Sequence, residues 1–139
     1  MEKVLEAFIT TLDSSFKKLL EDVGNPLNLT ASQATYIETI YKLNQPTLSE
    51  LADSLGLSRA SVTTAINKLV KQGYITKTQS SEDKRVSHLG LTPSSEKLMQ
   101  AKQKAVQNYT DFIRAALSQE EIRQFELIMS KLVLQFQNQ

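Results

Sequence analysis

The chain has 139 residues, of which 40% are apolar and 22% charged, a composition typical of a soluble globular domain and too apolar for disorder. It contains no cysteine and a single histidine, His88, which excludes disulfide scaffolds, thiol redox sensing, cysteine nucleophiles and histidine-rich metal sites. The net charge of +1 hides an uneven distribution: residues 1–58 are net −4, whereas residues 59–85 carry six basic and two acidic groups. A basic block inside a near-neutral chain is the electrostatic footprint of a surface that meets phosphates. No apolar run exceeds three residues, as at Leu132-Val133-Leu134, so no span of a bilayer is expected. The start, Met1-Glu2-Lys3-Val4, lacks the pattern of a leader, and a cytoplasmic protein is expected.

From Glu2 to Val23 the apolar residues Leu5, Phe8, Leu12, Phe16, Leu19 and Val23 step by three or four, which predicts an amphipathic helix stopped by Gly24-Asn25-Pro26. Thr30 with Gln33 is a capping-box pair and opens a second helix carrying Ile37, Ile40 and Tyr41, closed by Asn44-Gln45-Pro46. Thr47 with Glu50 repeats the pattern for a short helix, Thr47–Leu55, ending at Gly56. Ser58 caps the next helix, Arg59–Gln72, and Gly73 stops it. Two β-rich runs follow, Tyr74–Thr78 and Val86–Leu91, flanking a polar turn at Ser80–Lys84, and predict a hairpin with an exposed tip. Thr92-Pro93 starts a long helix to about Leu117. Ser118 with Glu121 caps the last helix, whose Ile122, Phe125, Ile128, Met129, Leu132, Val133 and Phe136 share a face.

The informative stretch is Thr47 to Leu91. Two helices joined at Gly56-Leu57-Ser58 read as a helix-turn-helix, with Leu51, Ala52, Leu57, Val62, Ile66 and Leu69 as apolar anchors, and the hairpin reads as the wing of a winged helix. On a wheel of about 100° per residue, Ala60, Thr64, Asn67 and Lys71 point outward, with Ser61, Thr63 and Lys68 on the flanks. This face has hydroxyls, one amide and cations but no carboxylate. It suits a major groove, where Asn67 pairs with adenine, hydroxyls reach bases or phosphates, and Ala60 meets a thymine methyl. Arg59 has the reach for a base edge or a phosphate.

These residues also carry a family likeness. Leu48-Ser49-Glu50-Leu51-Ala52, Leu57-Ser58-Arg59-Ala60-Ser61-Val62-Thr63, Leu69-Val70-Lys71-Gln72-Gly73-Tyr74-Ile75 and the wing segment Asp83-Lys84-Arg85 leading to Leu91-Thr92 make the sequence resemble the MarR family of bacterial winged-helix transcription regulators. The helix order on both sides fits, so the likeness spans nearly the whole chain. It implies a mainly α fold with a small β-hairpin wing. A winged helix-turn-helix at about 30–92 would be flanked by dimerisation helices at about 1–23 and 93–139, all within one domain, 1–139. It further implies a homodimer on a pseudo-palindromic site in double-stranded DNA, most often as a repressor, with recognition helices in successive major grooves. In the family pattern a wing arginine enters the minor groove while an aspartate two residues earlier holds it; Asp83 and Arg85 match these positions. Two residues apart on a strand they would share a face.

The candidate DNA-contacting set is therefore Thr47, Ser58, Arg59, Ala60, Ser61, Thr63, Thr64, Asn67, Lys68, Lys71, Asp83, Lys84 and Arg85. Many relatives carry arginine where Thr64 stands, so strong guanine readout from that position is missing. The cysteine of peroxide-sensing relatives and the histidine clusters of zinc-sensing ones are absent, and no metal or cofactor is expected. The resemblance also implies a small-molecule effector in a crevice beside the dimer helices, for which Phe16, Tyr36, Ile40, Tyr109 and Phe112 are the aromatic and apolar candidates. His88 is expected to be structural.

Other classes fit less well. The serines have no histidine or cysteine partner in the pattern, the four glycines form no phosphate loop, and catalysis is not expected. A winged helix that binds protein instead of DNA would need an apolar outer face on Arg59–Gln72 and no cations in the wing.

Overall fold

The computed structural model describes residues 1–22 and 29–138. The elements are α1 (Glu2–Asp22), α2 (Ala31–Leu43), α3 (Leu48–Leu55), α4 (Arg59–Lys71), β1 (Ile75–Gln79), β2 (Ser87–Leu91), α5 (Pro93–Ala116) and α6 (Gln119–Gln137). The order matches the sequence expectation: four helices, a hairpin, two helices. Val23 and the Gly24-Asn25-Pro26 stop lie outside the described residues.

The helix starts follow from their caps. At Thr30, Thr47 and Ser118 the hydroxyl accepts from the backbone N–H three residues on, while the Gln33, Glu50 or Glu121 side chain accepts from the cap's own N–H. Each box satisfies two donors that a helix start otherwise leaves open. Thr47→Ala is expected to cost about 1 kcal/mol of stability, read as a lower urea midpoint at unchanged slope.

The chain divides into two compact units, Met1–Lys102 and Gln103–Gln139. The first contains a core of Tyr36, Ile40, Leu51, Ala52, Val62, Ile66, Leu69, Ile75 and Leu89, drawn from α2, α3, α4 and the hairpin. Ala52 is 2% exposed, as expected of a small residue where α3 and α4 cross. Leu57, read from the sequence as an anchor between these helices, is instead 47% exposed. Its N–H donates to the Ala52 carbonyl (3.1 Å) as part of the turn that closes α3 around left-handed Gly56, φ +64°. Turn geometry, not burial, fixes that residue. Lys102 of α5 donates to the Glu38 carboxylate of α2.

The hairpin is antiparallel, with Ile75 opposite Leu91, Lys77 opposite Leu89 and Gln79 opposite Ser87. Its strands begin one residue later than the sequence pattern suggests. Tyr74 spends its N–H on the Leu69 carbonyl (3.0 Å), closing α4 beside left-handed Gly73, φ +79°. Val86 likewise spends its N–H on the Asp83 carbonyl (3.0 Å) in the tip turn.

A third extended segment, absent from the sequence reading, joins β2. Thr47 forms an antiparallel bridge with His88, and the Leu89 N–H donates to the Pro46 carbonyl at 2.8 Å. Asn44 and Gln45 reach it through left-handed backbone, φ 53° and 60°, an uncommon state for non-glycine residues. Pro46, fully buried, follows them, and His88 Nδ1 bonds the Gln45 carbonyl at 3.0 Å. His88 thus ties the wing to the start of α3.

In the second unit, the Leu117 N–H closes the end of α5 on the Ile113 carbonyl (3.0 Å), and an Arg123–Glu120 pair (2.6 Å) lies on the first turns of α6. No residue of α6 is buried. Among the described residues no helix is long and apolar enough to cross a membrane.

Candidate nucleic-acid interface

α4 buries Val62, Ile66 and Leu69 and turns Arg59, Ala60, Ser61, Thr64, Asn67, Lys68 and Lys71 to the surface, with Thr63 half-buried. This is the wheel assignment from the sequence, and the helix contains no acidic residue. Lys68 and Lys71 in the last turn complement the negative end of the helix dipole.

The hydroxyls on this helix are not equivalent donors. Thr63 Oγ1 donates to the Arg59 carbonyl (2.7 Å) and Thr64 Oγ1 to the Ala60 carbonyl (3.1 Å). A hydroxyl has one hydrogen, so both threonines offer outward only lone pairs and a methyl group. Ser58 caps the helix by accepting the Ser61 N–H (3.2 Å) and gives its own hydrogen to Ser61 Oγ (2.8 Å). The side-chain donors left for a polyanion on this face are chiefly Arg59, Asn67, Lys68 and Lys71. Asn67 alone of these carries both a donor and an acceptor, the pairing that matches an adenine edge.

The wing tip is held by its own side chains. Ser80 Oγ accepts from the Glu82 and Asp83 N–H groups (3.3 and 3.4 Å), and Gln79 Nε2 donates to the Lys84 carbonyl. Asp83 Oδ1 accepts the Arg85 backbone N–H at 3.0 Å, while Arg85 Nε and Nη2 reach Oδ1 and Oδ2 at 3.2 and 3.3 Å. The pair does not meet across one strand face, contrary to what the spacing in the sequence suggests. Asp83 and Arg85 lie in the tip turn, between β1 and β2, and the aspartate turn brings them together. The Arg85 guanidinium, with the Arg85 N–H behind it, holds the Asp83 carboxyl below the usual carboxylate range. The Arg85 side chain remains 91% exposed, so its fork is oriented but not enclosed.

Between α4 and the wing lies a notch of about 210 Å³, lined by Thr47, Ser49, Arg59, Lys77, Arg85 and Ser87 among others. It brings together three candidates from separate elements, Thr47, Arg59 and Arg85. It also adds Lys77, Ser49 and Ser87, which the sequence reading did not select. Lys77 stood in the basic block, but nothing local distinguished it from a solvated lysine.

Of the proposed effector-crevice residues, Tyr36 and Ile40 are 8% and 1% exposed in the core. Among the described residues no group of three His, Asp or Glu side chains gathers to hold a metal ion.

Residues 29–87, the segment spanning α2, α3, α4 and most of the wing, match the sequence model of the MarR family. They are a MarR-family domain. Over 128 residues the chain is 23% identical to YsmB of Bacillus subtilis, an uncharacterized HTH-type transcriptional regulator, covering 92% of this chain and 88% of YsmB. The fold is shared with S. aureus MepR. One mutant form of MepR superposes with a TM-score of 0.69 at 19% identity over 98% of this chain and 95% of that one. MepR bound to ethidium bromide gives 0.65 at 19% identity, covering 94% and 95%. Streptococcus pneumoniae FabT in complex with DNA gives 0.64 at 21% identity, covering 99% and 97%. Residues 29–87 thus form the MarR-family domain of a transcriptional regulator, not of an enzyme.

Proposed function

We propose that this MarR-family protein is a cytoplasmic homodimer that binds a pseudo-palindromic operator in double-stranded DNA and represses transcription. α4 enters the major groove and the Asp83–Arg85 wing tip the minor groove. The observation that carries this reading is the pairing of an acid-free, donor-bearing α4 surface with a wing arginine whose fork is pre-oriented by aspartate. Narrow minor grooves attract arginine, and a fork already ordered loses less freedom on insertion. FabT, of the same fold, has been solved with DNA.

The winged helix-turn-helix at about 30–92 would project from dimerisation helices at about 1–23 and 93–139. Both terminal helices present exposed apolar groups, Leu5 and Phe8 on α1 and Leu132 and Phe136 on α6. Two-fold symmetry would then set two α4 helices about one DNA turn apart. Relief of repression by a small molecule is a further element of the proposal, supported by the ethidium complex of MepR. The competing view, a protein-binding winged helix, finds no apolar platform on the outward face of α4, where Ala60, Thr64, Asn67 and Lys71 stand.

Three substitutions test the reading. Asn67→Ala is expected to cost about 1–3 kcal/mol on the cognate site and to relax preference at one base position per half-site. Arg85→Ala should weaken binding most where the flanks are A·T-rich. Asp83→Ala should do so in part, because it frees the arginine without removing its charge. The measurement is equilibrium binding to the operator and to flank-scrambled duplexes. Wild-type affinity in Arg85→Ala would reduce the wing to a structural appendage.

A further inference from the structure

We infer that His88 is a positioning residue for DNA binding. Its ring, bonded to the Gln45 carbonyl, sets the wing against the helix-turn-helix, a role that rests on the groove assignment above. His88 is the second residue of β2 and follows Arg85 by three positions, at the base of the wing tip. Its Nδ1 lies 3.0 Å from the Gln45 carbonyl oxygen. A carbonyl oxygen only accepts, so Nδ1 carries the hydrogen, and in the neutral ring Nε2 is left bare.

The backbone that presents this carbonyl is unusual. Asn44 and Gln45 are both left-handed, φ 53° and 60°. Asn44 is so as the C-cap of α2, its N–H on the Ile40 carbonyl at 3.1 Å, and asparagine visits this region readily. Glutamine does not. Such a residue persists only where its surroundings over-determine it, and residues of this kind gather at functional sites. Here the left-handed turn aims the Gln45 carbonyl at the wing, and the His88 ring receives it.

Beyond Gln45 the strap passes directly into the DNA-facing scaffold. The Pro46 carbonyl takes the Leu89 N–H at 2.8 Å. Thr47 bridges His88 and is at once the N-cap of α3. Leu51 and Ala52 of α3 share one core with Val62 and Ile66 of α4. One side chain therefore joins the strand beneath the wing tip to the turn that starts α3. A protein that engages a major and a minor groove at once needs those two elements at a fixed separation, because any looseness between them is a freedom lost on binding. His88 is half-buried and acts without touching DNA.

The test compares the full chain with its His88→Ala, His88→Asn and His88→Gln variants in equilibrium binding to an operator duplex and to a random-sequence duplex. Asparagine places an amide N–H two bonds from Cβ, where Nδ1 stands, and glutamine places it one bond further. A hydrogen bond of this kind is worth up to about tenfold in an equilibrium, so two copies allow up to about a hundredfold per dimer. His88→Ala and His88→Gln should weaken operator binding by about fivefold to a hundredfold, and the random duplex less. The log K against log salt slope should stay unchanged, because no phosphate-bound cation is lost. His88→Asn should restore most of the affinity. Equal losses on both duplexes, or no rescue by asparagine, would reduce His88 to a stabiliser of the fold and overturn the proposal. Wild-type affinity in both His88→Ala and His88→Gln would overturn it too, with the groove assignment standing. Absence of DNA binding by wild type would overturn the groove assignment first, and the DNA role of His88 with it. A second readout needs no DNA: His88 is the sole histidine, so its ring nitrogens are identified directly in nitrogen–proton correlation spectra. In mildly alkaline solution the hydrogen should sit on Nδ1. A hydrogen on Nε2 with Nδ1 bare would remove the bond, and the proposal with it.

Discussion

Operator affinity is expected to fall by about four orders of magnitude or more as monovalent salt rises from about 50 to about 200 mM. The six cations between residues 59 and 85, Arg59, Lys68, Lys71, Lys77, Lys84 and Arg85, are all exposed. If four to six of them per protomer neutralise phosphates, log K falls against log salt with a slope of about −7 to −11 per dimer. The two acids of the same block, Glu82 and Asp83, both lie at the wing tip, and Asp83 is spent on Arg85. The check is fluorescence anisotropy over a salt series. A slope shallower than about −3 would place the contact surface elsewhere.

Leu132→Glu is expected to abolish dimerisation and operator binding together. α6 buries none of its residues within the chain; Leu132 is 46% and Phe136 71% exposed. Covering a large aliphatic side chain contributes about 1.5–3 kcal/mol, so several such residues on one helix supply a strong drive to associate. A carboxylate in the middle of that face either keeps its water or is buried unpaired, and both oppose closure. Leu132→Ala removes volume without charge and should weaken the dimer by about 2–5 kcal/mol. Loss of the dimer separates two half-site contacts that otherwise add on one DNA molecule. Sedimentation equilibrium with parallel DNA binding measures both. A stable folded wild-type monomer at micromolar concentration, or a Leu132→Glu dimer as tight as wild type, would overturn the dimer proposal.

Much of the winged domain is legible one residue at a time. Thr30, Thr47, Ser58 and Ser118 announce helix starts because a cap acts on N–H groups within three residues. The inward and outward residues of α4 follow from helical period alone, since Val62, Ile66 and Leu69 recur every three or four positions. Asp83 and Arg85 are recognisable as a pair, although strand alternation is not what joins them. An aspartate turn at the tip does so, and turn chemistry competes with strand geometry wherever Asp precedes a tight reversal.

The sequence by itself determined the element order, the caps, the acid-free face of α4 and the basic wing, because each is a local pattern with a period or span of a few residues. Tertiary structure alone decided which of those groups meet. Pro46 and Thr47 pair with Leu89 and His88, more than forty positions away, through a left-handed turn at Asn44-Gln45. That pairing sets the first turn of α3 against the wing and creates the notch in which Lys77 stands beside Arg59 and Arg85. Leu57, by contrast, is exposed through local geometry, its N–H held on the Ala52 carbonyl in the turn after α3. Periodicity reports which face of an element is buried, but it carries no information about which element lies across from it. Lys77 therefore looked like any surface lysine until the hairpin folded against α3.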